Sequence, residues 1–337
     1  MSFDSCETRT GGTGDSVCGI VVIGRNEGER LRRCLDSVRN SARRVVYVDS
    51  GSTDGSVELA QSKGVDAVRL DMRTPFTAAR ARNAGFRQLQ EAAPDVQYVQ
   101  FVDGDCEVID GWLEAATSFL EQHADVACVC GRLRERHPER SVYNLLCDME
   151  WQAPSGASRS TGGNAMMRCV ALNAAGGYRE DMIAGEEPEL CIRLRQAGWK
   201  IWRLPDEMAL HDAAMTHFGQ WWKRTRRGGH AAAEGAALHG DAAEWHNTAR
   251  VRRSLLWGAL LPITIVCLSV VHPSFSLLWL AYPSQVVRLA FRDGMNRRDV
   301  WLRSAFWMLG RFPEALGAMT FWLNRMWRRR AKLMEYK

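Results

Sequence analysis

Several patterns that mark common protein classes are missing from this chain of 337 residues. Its first fifteen residues have neither a basic segment nor an apolar one, so they do not form a secretory signal. No internal repeat or low-complexity run is present, and a composition of 46% hydrophobic and 25% charged residues rules out a disordered or fibrous chain. The ten cysteines include no Cys-x-x-Cys pair of the kind that binds zinc or cycles redox. We therefore expect a globular protein whose main domain lies on the cytoplasmic side of the inner or plasma membrane. Its thiols are expected to be buried and reduced, and several of them lie in apolar runs (Cys18, Cys128, Cys130 and Cys267).

A large excess of one charge is also absent. The 44 basic and 39 acidic residues leave a formal net charge of +5. The basic residues crowd toward the C-terminus, where they accompany many tryptophans: nine of the 13 lie after residue 220. This combination indicates anionic lipid headgroups as partners and argues against nucleic acid. The basic positions that carry the argument are Arg250, Arg252, Arg253, Arg297, Arg298 and 328–330.

The first half of the chain alternates short β-branched runs with helical patterns. This alternation is typical of an open, mostly parallel sheet covered by helices, an α/β fold. In such sheets ligands gather at the carboxyl ends of the strands, and the main polar clusters fall at those ends here. We predict a flexible N-terminus at 1–17, a catalytic domain at 18–250 and a helical membrane-associated region at 251–337. The predicted strands are 20–23, 45–48, 67–70, 98–102, 126–130, 164–169 and 200–204.

The C-terminal region contains two apolar stretches. Residues 255–271 lack charge but are short for a spanning helix and contain Pro262. The second stretch, 275–291, contains Arg288. A hairpin turning at His272 and Pro273, a re-entrant pair, a surface-lying pair and two buried helices of a soluble domain all fit this pattern. Basic residues flank both outer ends, so both ends are expected in the cytoplasm. Residues 301–330 read as an interfacial amphipathic helix.

The strongest chemical signal is an apolar strand that ends in Asp103-Gly104-Asp105. Two carboxylates across a turn supply hard oxygen ligands for one cation, which suits Mn²⁺ or Mg²⁺ bridging a diphosphate. Such a metal offsets the negative charge that builds up on a departing nucleoside diphosphate. By itself the motif is also a common turn.

The other motifs of the chain support a functional interpretation of this turn. Together they resemble the series of glycosyltransferase family 2 in order and spacing over residues 18–225. The resemblance implies a GT-A fold with a mostly parallel sheet, plus a C-terminal membrane-associated helical region. It also implies a non-processive enzyme, because residues 220–224 do not match the Gln-x-x-Arg-Trp motif of processive members. The matching segments are 21–27, 48–54, 81–85, 103–105, 162–165 and 185–190.

The same resemblance implies roles for individual residues. The nucleotide-sugar contacts would come from Arg25, Asn26, Glu27, Asp49, Arg82, Asp103, Gly163 and Asn164. Asp103 and Asp105 would bind the metal, with His211 as a third ligand through neutral imidazole. Asp49 equally suits a cap for the 50–54 turn, and a lone histidine is often structural, so both alternatives stay open.

The general base is predicted at the start of a helix over 188–197. Pro188 suits the first helical position, which places Glu187 at the cap, and Gly198 ends the helix. A carboxylate there stays ionised and can take a proton from an acceptor hydroxyl. The family pattern commonly has Asp at the Glu187 position, so Glu186 and Glu187 both remain candidates.

The predicted reaction is a single displacement with inversion, from a nucleotide-diphosphate sugar, most simply a UDP-sugar, to a glycan or glycolipid acceptor in cell-surface glycan synthesis. A nucleotidyltransferase is a second hypothesis, but residues 24–27 lack the required glycine-rich basic loop. A dehydrogenase would need Gly-x-Gly-x-x-Gly there. A non-catalytic membrane scaffold is the third hypothesis, and the retention of both Asp103 and Asp105 argues against it.

Overall fold

The computed structural model describes residues 17–240, 246–294 and 297–329. The predicted flexible N-terminus, apart from Val17, and Cys6 lie outside these residues. The chain forms two compact units. The first contains residues up to 136 together with 151–179 and 190–212, and the second contains 137–150, 180–189 and the residues from 213 onward. The predicted domain boundary at residue 250 stays a prediction.

The first unit is built on a nine-stranded sheet in the order β3-β2-β1-β4-β8-β6-β9-β5, with β7 paired to β9. Strands β3, β2, β1 and β4 are parallel, whereas β8 is antiparallel to both β4 and β6. The predicted α/β class with a mostly parallel sheet is confirmed. The strands are β1 Cys18–Gly24, β2 Arg44–Asp49, β3 Asp66–Arg69, β4 Tyr98–Asp103, β5 Cys106–Val108, β6 Val126–Glu135, β7 Gly156–Ala157, β8 Ala165–Arg168 and β9 Lys200–His211.

The helices follow the strands in the predicted alternation. Those up to residue 196 are α1 Glu29–Val38, α2 Ser56–Ser62, α3 Ala78–Ala92, α4 Trp112–Gln122, α5 Val142–Trp151, α6 Cys169–Ala174 and α7 Glu186–Gln196. The later helices are α8 Phe218–His239, α9 Thr248–Leu255, α10 Leu261–Val271, α11 Ala281–Asp293, α12 Arg298–Leu309 and α13 Arg311–Met326.

Local sequence explains the helices that flank the sheet. The side chains of Leu31, Cys34, Leu35 and Val38 recur on one face of α1, and all four are buried. Helix α3 begins after Thr77, whose hydroxyl accepts a hydrogen bond from the Arg80 amide.

Close helix–sheet packing explains one motif glycine of the predicted series. A Cβ at Gly85 in α3 would lie 2.3 Å from Cγ1 of Val21 and 2.9 Å from Cγ2 of Val48, so a larger residue would push the helix off the sheet.

Several predicted boundaries were wrong. Helix α7 begins at Glu186, two residues before Pro188, so Glu187 lies inside the first turn and is not the cap. Proline is tolerated there because first-turn N–H groups have no partner within the helix. Strand β9 continues past Leu204 to His211, and its register against β6 shifts between Arg203 and Glu207, where Pro205 lies. The irregularity accommodates a residue that cannot donate to the ladder.

The described residues of the second unit from Phe218 onward are mainly helical. Helix α9 continues through a π-turn, Leu256–Leu260, into α10, and the whole segment Thr248–Val271 is long and apolar enough to cross a membrane. A 3₁₀ segment, Pro273–Leu280, follows the predicted turn at His272 and leads into α11. The predicted helix over 301–330 is in fact two helices, because the Pro313 ring would clash with the carbonyl of Leu309, where α12 ends.

Candidate functional site

The end of strand β4 carries a partly buried ion pair. Nη2 of Arg82 in α3 donates to Oδ1 of Asp103 at 2.9 Å, and the Arg82 side chain is only 3% exposed. Its guanidinium also lies 5.6 Å from the ring centroid of Tyr178. A Cβ at Gly163 would lie 2.7 Å from Nη2 of Arg82 and 2.8 Å from Oδ2 of Asp103. Glycine at this position therefore leaves room for the ion pair, and three predicted donor-binding residues meet here.

The side chain of Asn164 forms hydrogen bonds on both sides of the Asp103-Gly104-Asp105 turn. Its Oδ1 accepts from the Asp103 amide at 2.8 Å, and its Nδ2 donates to Sγ of Cys106 at 3.4 Å. The Gly104 amide donates to the carbonyl of Ile23 in β1 at 2.8 Å. One buried amide side chain and one neighbouring strand thus fix the whole turn.

Asp105 and His211 form the core of a possible metal site. Oδ2 of Asp105 lies 3.3 Å from Nε2 of His211, and Asp105 is buried. The ligand atoms of Asp105, Cys106 and His211 all lie within 4.8 Å of one another. Asp103 is outside this group among the described residues, and its carboxylate accepts from Arg82. A carboxylate oxygen and an imidazole nitrogen are suitable ligands for a divalent transition metal.

Sheet register brings these residues together. His211, at the end of β9, is paired with Cys106 of β5 on one side and with Glu135 of β6 on the other. Oε2 of Glu135 lies 3.5 Å from Nδ1 of His211, and its side chain is fully buried. The indole ring of Trp151 meets the His211 ring edge-on, with centroids 4.7 Å apart. Carboxylates in this position orient histidine ligands in metalloproteins.

Neither Glu135 nor Cys106 is among the predicted site residues. Burial, followed by the charge of Asp103, raises the pKa of the Cys106 thiol well above its usual value. Burial likewise raises the pKa of Cys18 to about 12. Eight described cysteines are buried thiols, as expected, but Cys267 is exposed, contrary to the expectation from its apolar surroundings.

Asp49 caps its own loop. Its Oδ2 accepts from the amides of Gly51 and Ser52, both at 3.0 Å, and the Tyr47 hydroxyl donates to its Oδ1 at 3.1 Å. The turn-capping alternative is therefore realised, with the carboxylate 3% exposed. A contact between Asp49 and a nucleotide stays a prediction.

Asn26 joins this loop to the end of β1. It adopts a positive φ of 55°, its Oδ1 accepts from the Thr53 amide at 2.8 Å, and its own amide donates to the Ser52 hydroxyl at 2.9 Å. The two predicted nucleotide loops are therefore one hydrogen-bonded structure.

The remaining predicted residues of the first unit lie beside these loops. Arg25 stacks on Phe76, with its Cζ 4.8 Å from the ring centroid. Glu27 pairs with Arg30 at 2.8 Å. Both side chains thus have partners within the first unit, and their contacts to a donor stay predictions.

Glu186 and Glu187 belong to the second unit, in the first turn of α7. Glu187 is 5% exposed, whereas Glu186 is half-buried. Their neighbour Glu189 contacts Nε2 of His239 at 3.1 Å. A carboxylate at a helix N-terminus is stabilised in its ionised form by the helix dipole.

Comparisons with known proteins point to one family of enzymes. Residues 19–172 match the profile of Glycosyl transferase family 2. The Pre-mycofactocin glycosyltransferase of Mycobacterium tuberculosis is 30% identical over 237 residues, which make up 66% of this chain and 48% of that protein. The chain thus spans about half the length of this relative. Glycosyltransferase AglE of Haloferax volcanii is 25% identical over 223 residues, 62% of this chain and 71% of that protein.

A solved structure supports the fold. The mannosyltransferase PcManGT from Pyrobaculum calidifontis, in complex with GDP-Man and Mn²⁺, superposes with a TM-score of 0.60 at 18% identity. The match covers 90% of this chain and 86% of that one and confirms the predicted fold. At 18% identity it supports the fold alone. The domain that contains the Asp103-Gly104-Asp105 turn belongs to glycosyltransferase family 2.

Proposed function

We propose that this protein is a metal-dependent, inverting glycosyltransferase that moves a sugar from a nucleotide-diphosphate donor to an acceptor hydroxyl. The observation that carries the proposal is the buried contact between Asp105 and His211, which lie 3.3 Å apart in a family 2 domain. Asp103, two residues before Asp105, pairs with Arg82. A carboxylate–imidazole pair beside an arginine suits a cation and the diphosphate it binds.

Asp105 and His211 would hold the metal, with Asp103 turned toward the donor or completing the site. These ligands suit a divalent cation, because a carboxylate oxygen of Asp105 and an imidazole nitrogen of His211 face each other. Glu135 lies beside the other nitrogen of the His211 ring. Imidazole ligation favours Mn²⁺ over Mg²⁺, and the related fold of PcManGT binds Mn²⁺. Such a metal, when bound, offsets the charge on the leaving diphosphate.

The donor would lie along the loops that join β1, β2 and α3. Arg82 would bind the diphosphate, and Gly163 would let the donor approach the Asp103–Arg82 pair. Arg25, Asn26, Glu27 and Asp49 would line the base and ribose. We propose a UDP-sugar as donor. The GDP-Man bound by PcManGT makes a GDP-sugar the alternative to test.

Glu187 would act as the general base, with Glu186 as the alternative. In the reaction the acceptor oxygen forms a bond to the anomeric carbon while the bond from that carbon to the diphosphate oxygen breaks. The electron pair leaves with the diphosphate, and the hydroxyl proton moves to the carboxylate. One displacement of this kind inverts the anomeric configuration, and no covalent sugar–enzyme species forms.

The acceptor would be a lipid-linked or saccharide hydroxyl at the cytoplasmic face of a membrane, in cell-surface glycan synthesis. The exposed apolar segment Thr248–Val271 and the arginines beside it support membrane association. The succinoglycan biosynthesis protein ExoA of Rhizobium meliloti, 27% identical over 197 residues, is consistent with such a role.

The test is metal-dependent donor binding by the full chain in detergent. UDP- and GDP-sugars with Mn²⁺ should raise the melting temperature, and Asp105→Asn should abolish that rise. Asp110→Asn, a change at an exposed carboxylate five residues further along the chain, is the matched control and should leave the rise intact. If Asp105→Asn retains the full metal-dependent rise with its donor, the proposed site is wrong.

A further inference from the structure

The segment between Ser254 and Val287 is unusual for its lack of charge. It contains no Asp, Glu, Lys or Arg. Residues 271–280 are all exposed, and large apolar side chains there face outward, among them Val271 at 78% and Leu277 at 66% exposure. Water would solvate such a surface poorly, so it requires an apolar partner.

Two aromatic residues near the two ends of this segment, Trp257 and Tyr282, contact each other, and we call this part of the segment its base. The Tyr282 hydroxyl donates to the carbonyl of Trp257 at 2.6 Å, and the two rings meet edge-on with centroids 5.6 Å apart. The bond has a local cause. In a π-turn the N–H of residue 262 would reach this carbonyl, but Pro262 has none. Tyr282 supplies the missing donor, so the returning chain is tied beside the departing one.

This tie limits how far the segment extends. From Trp257 to Val271 a helix rises roughly 21 Å at 1.5 Å per residue. The 3₁₀ segment Pro273–Leu280 returns by roughly 16 Å at 2 Å per residue, and Tyr282 lies within one further turn. The two arms therefore have matching lengths near 20 Å, well short of the roughly 30 Å hydrocarbon core of a bilayer.

Side-chain chemistry also changes along the arms. The base carries Trp257, Trp279 and Tyr282, residues that favour the membrane–water interface. At the tip, Nδ1 of His272 contacts the Ser274 hydroxyl and accepts from the Ser274 amide, so polar groups satisfy one another locally. Beyond the base lie exposed Arg252 and Arg253 on one arm and Arg288 on the other.

From this geometry we propose that residues 255–287 enter a lipid bilayer as a re-entrant hairpin and leave on the side from which they entered. The partner is the acyl-chain region of a leaflet whose anionic headgroups meet the arginines at both outer ends. The helix Thr248–Val271, although long enough to span, is one arm of this hairpin. The inference deepens the membrane association proposed above and is independent of the transfer reaction.

Thiol labelling in sealed vesicles tests the topology. In a Cys6→Ser, Cys267→Ser background the other described thiols are buried. Single cysteines replace Arg252, Ser274 or Arg288, and an impermeant maleimide is applied to vesicles of both orientations. We expect positions 252 and 288 to label from the same side and position 274 to label from neither until detergent is added. Labelling of position 274 from the side opposite to 252 would show a spanning helix and overturn the hairpin.

Vesicle partitioning separates this failure from the loss of membrane association altogether. Leu277→Lys should weaken sedimentation with anionic vesicles by on the order of a hundredfold, because it places a charge within the hydrocarbon. Val170→Lys, at an apolar residue 64% exposed in the first unit, is the matched control and should have no effect. If the unaltered protein does not sediment with vesicles, or position 274 labels freely on the 252 side, the segment is not membrane-embedded.

Discussion

Glu135 offers the sharpest test of the metal site, because it would act only through His211. Its side chain is fully buried, and its Oε2 lies 3.5 Å from Nδ1 of His211, on the ring edge opposite Asp105. A carboxylate there favours the tautomer that leaves Nε2 unprotonated and facing the metal. Glu135→Gln keeps the shape but removes the charge.

The expected loss of metal affinity is about 10- to 100-fold, or roughly 1.4–2.7 kcal/mol. Titration of Mn²⁺ into the full chain, followed by electron paramagnetic resonance of the free ion, measures this directly without relying on turnover. His211→Gln should lose at least as much affinity, since it removes a ligand.

The control for this experiment lies on the same pair of strands. Glu207 of β9 pairs with Arg134 of β6 at 2.8 Å, but its side chain is 41% exposed. Glu207→Gln should leave Mn²⁺ affinity unchanged. If Glu135→Gln binds Mn²⁺ as tightly as the unaltered protein while His211→Gln does not, Glu135 has no part in positioning the ligand, and our reasoning about it is refuted.

Two further predictions concern the second unit. Glu187→Gln should lower kcat by about a hundredfold or more with donor affinity unchanged, since the amide cannot accept the acceptor proton; a larger loss in Glu186→Gln would move the role to that residue. Burial, and then the charge of Arg226, lowers the pKa of His230 from 6.5 to about 4, with Glu234 3.8 Å away. The unfolded chain therefore binds this proton first as pH falls. The free energy of unfolding should drop by about 3 kcal/mol between pH 6.5 and 4, and His230→Leu should flatten that decline in denaturant titrations; parallel curves for the two proteins would contradict the assignment.

Short-range patterns predicted much of the first unit correctly. The spacing of Leu31, Cys34, Leu35 and Val38 specified both helix α1 and its buried face. The strand that ends at Asp103 was predicted to within one residue, because an apolar run followed by a turn is a local signal.

The composition of the metal site was harder to predict because it depends on pairing between distant strands. The predicted β6 ends at Cys130 and the predicted β9 ends at Leu204. Charged residues at 132, 134 and 135 follow the first of these ends, and Pro205, which cannot donate to a strand ladder, follows the second. Only the extension of both strands brings Glu135 beside His211. The available signal was Glu135, a buried carboxylate in a charged segment. Its burial depends on the fold, however, so the neighbouring residues do not reveal it.

The fastening of the Asp103-Gly104-Asp105 turn by Asn164 has a consequence for how the enzyme would respond to its donor. The amide of Asp103 and the thiol of Cys106 bracket Asp105, and both are held by one side chain that is 3% exposed. The proposed cation ligand, Asp105, is therefore set in place before any substrate arrives. Donor binding would not have to order this part of the backbone. The entropy lost on binding would therefore come from the donor itself and from loops elsewhere. Preorganisation of this kind means that sugar selectivity should be sought away from the turn.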